Sequence, residues 1–231
     1  MSRTLNVVRM QLINRQTFVW IPLIILFGSL GISLALYGII QSAGASGVKI
    51  GGGVQAPLWY FLVVGVQALT RTFPFSQAMS VTRREFWSGT LLTAVGTAVL
   101  LSAVFVVGGL VEQATGGYGM NGWFFFMPWV WDAGALAAGV VYFAIAMFFF
   151  VIGFWAATVY KRFGATVTTL TLVGVGVGLV VIVWLVTVTG SWPTVVEAVT
   201  RAGALGLALV GLVLTAGLAA SAFRTLRRAM P

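Results

Sequence analysis

The sequence contains no cysteine and no histidine, and only four of its 231 residues are acidic. Without cysteine there are no disulfides and no thiol chemistry, and without cysteine and histidine the usual zinc sites are excluded. The four acidic residues are dispersed along the chain: Glu85, Glu112, Asp132 and Glu197. No carboxylate pair suited to acid–base catalysis is visible, so we predict no catalytic residue and no metal site. An ordinary hydrolase or metalloenzyme is therefore disfavoured.

Apolar residues dominate what remains. The chain is 60% hydrophobic and 7% charged, and its mean hydropathy is +1.04. Soluble domains carry about 25% charged residues, so this composition predicts an integral membrane protein. The net charge of +9 does not indicate a nucleic-acid partner. The 13 basic residues are scattered at the ends of apolar runs, where membrane lipid headgroups and orientation rules account for them.

Six apolar runs are long enough to cross a bilayer. They cover about 18–40, 56–73, 89–111, 133–160, 165–188 and 203–223. A span needs about 20 apolar residues. The first run could be interpreted as a signal peptide instead of a span. A signal core has only about 7–15 apolar residues, so the run is too long for that interpretation. We predict an all-α integral membrane protein with six transmembrane helices, forming a single transmembrane domain over residues 1–231.

The distribution of basic residues predicts the orientation of the spans. With six spans and a cytoplasmic amino terminus, the outer flanks hold only Lys49 and Arg201. The inner flanks hold Arg3, Arg9, Arg15, Arg71, Arg83, Arg84, Lys161, Arg162, Arg224, Arg227 and Arg228. Basic residues favour the cytoplasmic side, so both termini are predicted to be cytoplasmic.

The segment 2–15 precedes the first span and carries Leu5, Val8 and Leu12 at helical spacing. That spacing predicts a helix lying in the cytoplasmic interface, and a plain basic flank is the alternative. The loop 113–132 is rich in Trp and Phe, which fits either an aromatic belt at the membrane surface or a lid.

Three polar side chains within the apolar runs are candidates for a transport pathway or a contact between subunits. Gln67 and Arg71 lie in the second run, and Thr169 lies in the fifth. Arg71 is close enough to the end of its run to extend toward the headgroups instead. Pro74 is predicted to break this second helix, because its ring removes an amide donor.

Between the second and third runs lies the most densely charged stretch of the chain, Ser80-Val81-Thr82-Arg83-Arg84-Glu85-Phe86-Trp87. Each charge would cost about 2.5–3.5 kcal/mol at the bilayer centre, so the stretch belongs at a membrane surface. Its amphipathic composition predicts a short surface helix. Aromatic side chains could fill a partner's groove while arginines pair with acidic groups at its rim. The alternative is a basic loop whose aromatics sit among the headgroups.

The residues Gln67 to Thr90, QALTRTFPFSQAMSVTRREFWSGT, resemble the corresponding region of small type-two ABC permeases from high-GC Gram-positive bacteria. These are the membrane halves of ATP-driven transporters, most of them exporters. The resemblance implies an amino-terminal amphipathic helix, six spans and a cytoplasmic coupling helix between spans 2 and 3. It also implies that Ser80 to Trp87 enters a cleft of a separate ATP-binding subunit, with Arg83, Arg84 and Glu85 in contact. A small helical element between spans 5 and 6 would fall on residues 191–200.

The chain has no GxxxxGK[ST] loop for nucleotide phosphates. By the resemblance, ATP and Mg²⁺ are bound by two copies of a partner ATPase, and this chain itself binds no cofactor. A second permease subunit, identical or related, is expected in the bacterial cell membrane, with export of a hydrophobic or amphiphilic compound.

Other classes of membrane protein remain as alternatives. One is the membrane-embedded binding component of a small-molecule uptake system. A proton-driven antiporter is disfavoured because Glu112 and Asp132 lie at span ends, and an intramembrane enzyme because no nucleophile–base arrangement is visible.

Overall fold

The computed structural model describes residues 3–44 and 47–227, and within these ranges the chain is almost entirely helical. The helices are α1 (Arg3–Ile13), α2 (Ile21–Ser42), α3 (Ala56–Thr70), α4 (Thr72–Ala78), α5 (Arg83–Ala114), α6 (Pro128–Trp131), α7 (Ala135–Val188) and α8 (Trp192–Arg227). Two short strands, β1 (Lys49–Ile50) and β2 (Gly122–Trp123), pair in parallel.

Five stretches of the described chain are helical, long and apolar enough to cross a membrane: Gln16–Ser42, Gly52–Ala78, Arg83–Ala114, Ala135–Val188 and Trp192–Arg227. Several membrane-length apolar helices are the architecture of a multi-pass helical membrane protein. The six predicted spans correspond to these five stretches only if the longest, α7, is divided into two.

A break inside α7 lies between the fourth and fifth predicted runs. The helix has 54 residues, which at 1.5 Å each would extend for about 81 Å, against a hydrocarbon core of about 30 Å. Gly164 interrupts it with φ 81° and ψ 178°, a conformation that is accessible essentially only to glycine. Gly203 interrupts α8 in the same way, with φ 63° and ψ 179°. The part of α8 before Gly203 includes 192–200, nearly all of the segment 191–200 in which the resemblance implies a small helical element between spans 5 and 6.

Helices α3 and α7 approach each other through two glycines. A Cβ atom added to Gly65 would overlap the carbonyl oxygen of Phe150, and one added to Gly153 would overlap that of Leu62. Small residues allow such backbone-to-backbone contact between helices in lipid. The fully buried Phe61, Phe150 and Phe154 belong to the same two helices, so this pair forms the centre of the core.

The chain between α3 and α5 differs from the prediction. Helix α3 ends at Thr70, and Arg71 with φ −97° separates it from α4. The break therefore lies three residues before Pro74 and not at Pro74 itself. It follows Thr70, the residue whose carbonyl the Pro74 ring would meet in a continuous helix, so the predicted interruption occurs one turn earlier than expected. Pro74 lies in the first turn of α4, where a missing N–H leaves no intrahelical bond unmade.

Helix α1 packs on the start of α5. Val7 and Gln11 are buried, whereas Leu5 is 46% exposed. A Cβ at Gly89 would lie 2.6 Å from the Cβ of Val7, so the glycine lets the two helices meet. The amide of Gln11 donates to the Thr90 hydroxyl at 2.8 Å, which fixes α1 against the start of α5.

The aromatic loop after α5 folds inward. We call residues 47–55 and 115–134 together the aromatic cap. Phe124 and Phe125 are 1% and 2% exposed, and Phe125 packs edge-to-face on Phe105 of α5 at 5.4 Å. The pairing of β1 with β2 joins the two parts of the cap, and Lys49 donates to the carbonyl of Met120 at 2.9 Å. Phe124, Phe125 and Trp131 thus pack in the interior, whereas Trp129 is 52% exposed.

Candidate functional site

The turn between α4 and α5 is closed by local hydrogen bonds. The amide of Val81 donates to the Ser76 carbonyl at 3.1 Å, and Ser80 has a left-handed φ of 56°. Thr82 and Glu85 then form a capping box. The Thr82 amide donates to the Glu85 carboxylate at 2.9 Å, while the Glu85 amide donates to the Thr82 hydroxyl at 3.3 Å. The sequence TRRE therefore starts a helix, and Glu85 has a structural partner inside the chain.

The predicted surface stretch is divided between two elements. The separate short helix is α4, which ends before Ser80, and Arg83 to Trp87 form the first turn of the long helix α5. The capping box is the physical reason, because it begins a helix that the following apolar run continues without interruption. The turn is thus joined directly to a long apolar helix.

The two aromatic residues of the stretch pack within the chain. Phe86 is 0% exposed and lies edge-to-face on Phe73 at 5.1 Å. Trp87 donates from its indole to the Ala219 carbonyl at 3.2 Å and packs on Phe223 at 5.0 Å. Both side chains fasten the start of α5, Phe86 to the neighbouring α4 and Trp87 to the distant α8.

Arg83 also bonds within the chain. Its guanidinium donates to the carbonyls of Leu226 at 3.1 Å and Arg227 at 2.9 Å. Those carbonyls are at the end of α8, where intrahelical donors run out, so a cation is favourable there. Arg83 therefore caps α8, while its neighbour Arg84 is exposed.

Arginines from three helices gather around this turn, and we call Arg83, Arg84, Arg162, Arg224 and Arg227 the basic end. One hollow of about 480 Å³ is lined by Arg83, Arg84, Phe223 and Arg227. A second, of about 530 Å³, is lined by Arg162, Arg224, Thr225 and Arg227. An ion pair between Glu197 and Arg201 lies elsewhere, on α8. The basic end suits an acidic partner surface or another polyanion.

Two of the three pathway candidates lie one helical turn apart, since the Arg71 amide donates to the Gln67 carbonyl at 3.0 Å. Gln67 is half-buried on α3, and Arg71 is exposed just after it. Thr169 is exposed in the part of α7 that follows Gly164, and in the part of the chain that the structure describes no side-chain hydrogen bond joins it to either residue. Their assignment to a pathway stays a prediction.

The structural role of Glu112 was not predicted from the sequence, in which the residue lies at the end of a span. Its carboxylate is fully buried and accepts three consecutive amide bonds, from Phe124 at 2.9 Å, Phe125 at 2.9 Å and Phe126 at 2.7 Å. Tyr118 also hydrogen-bonds to it, and desolvation followed by the nearby Glu112 charge raises the pKa of Tyr118 to about 12. An acidic residue at the end of an apolar run, followed by a glycine-rich and aromatic loop, was the available signal. The three amide bonds identify Glu112 as the anchor of the aromatic cap.

No family model, no curated protein and no solved structure matches this chain.

Proposed function

We propose that this chain is the membrane-spanning permease subunit of an ATP-driven ABC transporter, powered by a separate ATPase. The observation that carries the proposal is the basic end, where an interhelical turn leads without a hinge into a long apolar helix. Helix α5 has 32 residues and begins at Arg83. A displacement at the turn would therefore pass directly along α5 to the aromatic cap.

The contacts of the turn refine the proposed coupling surface. Phe86, Trp87 and Arg83 hold the turn to the rest of the chain. The exposed Arg84, together with the arginines of the two hollows, would then contact acidic groups of the ATPase. In this arrangement the turn and the end of α8 form the coupling unit together, with α4 as the short helix beside them.

Division of α7 at Gly164 supports six spans with both termini on one side. The break follows Lys161 and Arg162, and the basic end gathers at the same end of the bundle. Because basic residues favour the cytoplasm, we place this end inside a bacterial cell and the aromatic cap outside.

The segment of α7 after Gly164 supports a second permease subunit. Its apolar side chains are largely exposed on all sides, including Leu170 at 65%, Val177 at 57% and Val180 at 68%. Gly174 and Gly176 have no atom within 4 Å of an added Cβ. A second subunit packed on this segment would enclose an apolar pathway, which favours a hydrophobic or amphiphilic cargo, moved outward.

Affinity purification in mild detergent tests the proposal. We expect a stoichiometric ATPase to copurify with the natural chain, and Arg84→Glu to reduce its recovery about tenfold or more, because like-charge contacts cost several kcal/mol. Arg201→Glu is the matched control, since Arg201 lies away from the basic end in an exposed ion pair. Arg83→Glu is unsuitable as the test variant, because it would also remove the hydrogen bond from Arg83 to the end of α8.

Equal ATPase recovery from the Arg84 and Arg201 variants would refute the coupling surface. Purification of the chain without an ATPase, carrying a bound small molecule, would instead favour the binding component of an uptake system.

A further inference from the structure

A groove runs between α1 and α5, away from the basic end's hollows. It encloses about 740 Å³, within the range of about 300–1,000 Å³ that is typical of small-molecule sites. Leu12 forms one wall, and Leu92 and Leu100 form the other. Gly96 lies between those two leucines, and a Cβ added to it would meet nothing within 4 Å. The groove is therefore open along α5 between Leu92 and Leu100.

Two hydroxyl groups line the groove, those of Thr93 and Thr97, and both donate to backbone carbonyls of α5 itself. The hydroxyl of Thr93 donates to the Gly89 carbonyl at 3.0 Å, and that of Thr97 donates to the Thr93 carbonyl at 3.0 Å. The surface along α5 is consequently suited to a hydrocarbon chain. From Leu92 to Leu100 the helix rises about 12 Å, the length of a substantial part of an acyl chain.

Two arginines line the groove on the side opposite α5. Arg9 belongs to α1 and Arg15 follows its end, and both side chains are exposed. Among the described residues that line the groove, none is acidic. Guanidinium groups bind phosphate oxygens through paired hydrogen bonds, and basic pockets between helices at a membrane surface bind anionic headgroups. The groove thus combines a cationic rim with an apolar floor.

We propose that this groove binds one anionic phospholipid, whose phosphate lies between Arg9 and Arg15 and whose acyl chain lies along α5 over Gly96. The assignment depends on the match between the groove and a phospholipid. The two arginines suit the anionic phosphate, and the apolar surface of α5 suits the acyl chain. It requires only that the chain lies in a membrane, and it holds whether or not the chain is a permease.

Lipid titration with native mass spectrometry tests this site. The full chain, purified in mild detergent, is titrated with phosphatidylglycerol and separately with phosphatidylcholine. We expect one preferred phosphatidylglycerol, with binding about fivefold weaker for each of Arg9→Gln and Arg15→Gln. Arg224→Gln, in the basic end, is the charge-matched control and should leave this binding unchanged.

Gly96→Leu tests the acyl chain separately, since it fills the floor without removing charge. We expect this variant to weaken phosphatidylglycerol binding, and glycerol phosphate alone not to compete. Equal binding of both lipids, or unchanged phosphatidylglycerol binding in the Arg9/Arg15 double variant, would overturn the proposal. Competition by free glycerol phosphate would also overturn it, because the site would then recognise an anion without its acyl chain.

Discussion

Replacing Glu112 with glutamine should loosen the aromatic cap while preserving side-chain shape. One carboxylate oxygen accepts from Phe125 and Phe126, and the other accepts from Phe124. A glutamine oxygen can keep the first pair, but its amide group then faces the Phe124 N–H, donor against donor. The loss of one hydrogen bond to a charged group costs about 1.5–3 kcal/mol, and the donor left buried adds to it. We expect a total cost of about 3 kcal/mol.

Thermal unfolding in detergent, followed by size-exclusion chromatography, measures this cost. In a chain of this size 1 kcal/mol corresponds to about 2–4 °C in Tm, so Glu112→Gln should lower Tm by about 6–12 °C. Glu197→Gln is the matched control, because Glu197 is exposed and its ion pair with Arg201 contributes about 0–1 kcal/mol. If the two variants unfold at the same temperature, the carboxylate does not anchor the cap.

Three further changes test other parts of the fold. Gly65→Ala should cost about 1–3 kcal/mol by forcing α3 away from the Phe150 carbonyl of α7, whereas Gly217→Ala should not lower Tm, because its Cβ meets nothing within 4 Å and alanine favours a helix over glycine. Gly164→Ala should destabilise the fold by about 1–3 kcal/mol, because a φ of 81° with a ψ of 178° suits glycine alone. A lower Tm in thermal unfolding would show this loss. The pKa of Tyr118 is raised to about 12, so its stabilising contribution should be complete below about pH 10 and disappear as pH rises toward 12. Denaturation measured across that range should show a smaller loss of stability in Tyr118→Phe, and identical profiles would contradict the raised pKa.

The long helices could be predicted from the sequence because their signal is local. Continuous apolarity and chain length are enough to indicate a membrane-length helix, and the turn at Gly164 is marked by the preceding Lys161 and Arg162. The start of α5 was also readable in principle, since Thr82 followed three residues later by Glu85 is a capping-box pattern.

The partners of individual side chains could not be predicted, because they lie far away in the sequence. Nothing near Trp87 indicates that its indole bonds to Ala219, and helical spacing in α1 does not reveal that Gln11, a polar residue, faces the interior. Burial of Glu112 likewise depends on how a loop folds back over it. Such contacts follow from the packing of whole helices, which hydropathy does not determine.

The contacts of Arg83 and Trp87 also have a consequence for biosynthesis. They join residues separated by 143 and 132 positions, so their partners are translated long after α5 has been made. Chains fold from the amino terminus as they emerge, and the start of α5 must wait for α8 before these bonds can form. A nascent protein that has not yet inserted α8 thus lacks a completed basic end and is unable to present it to another molecule.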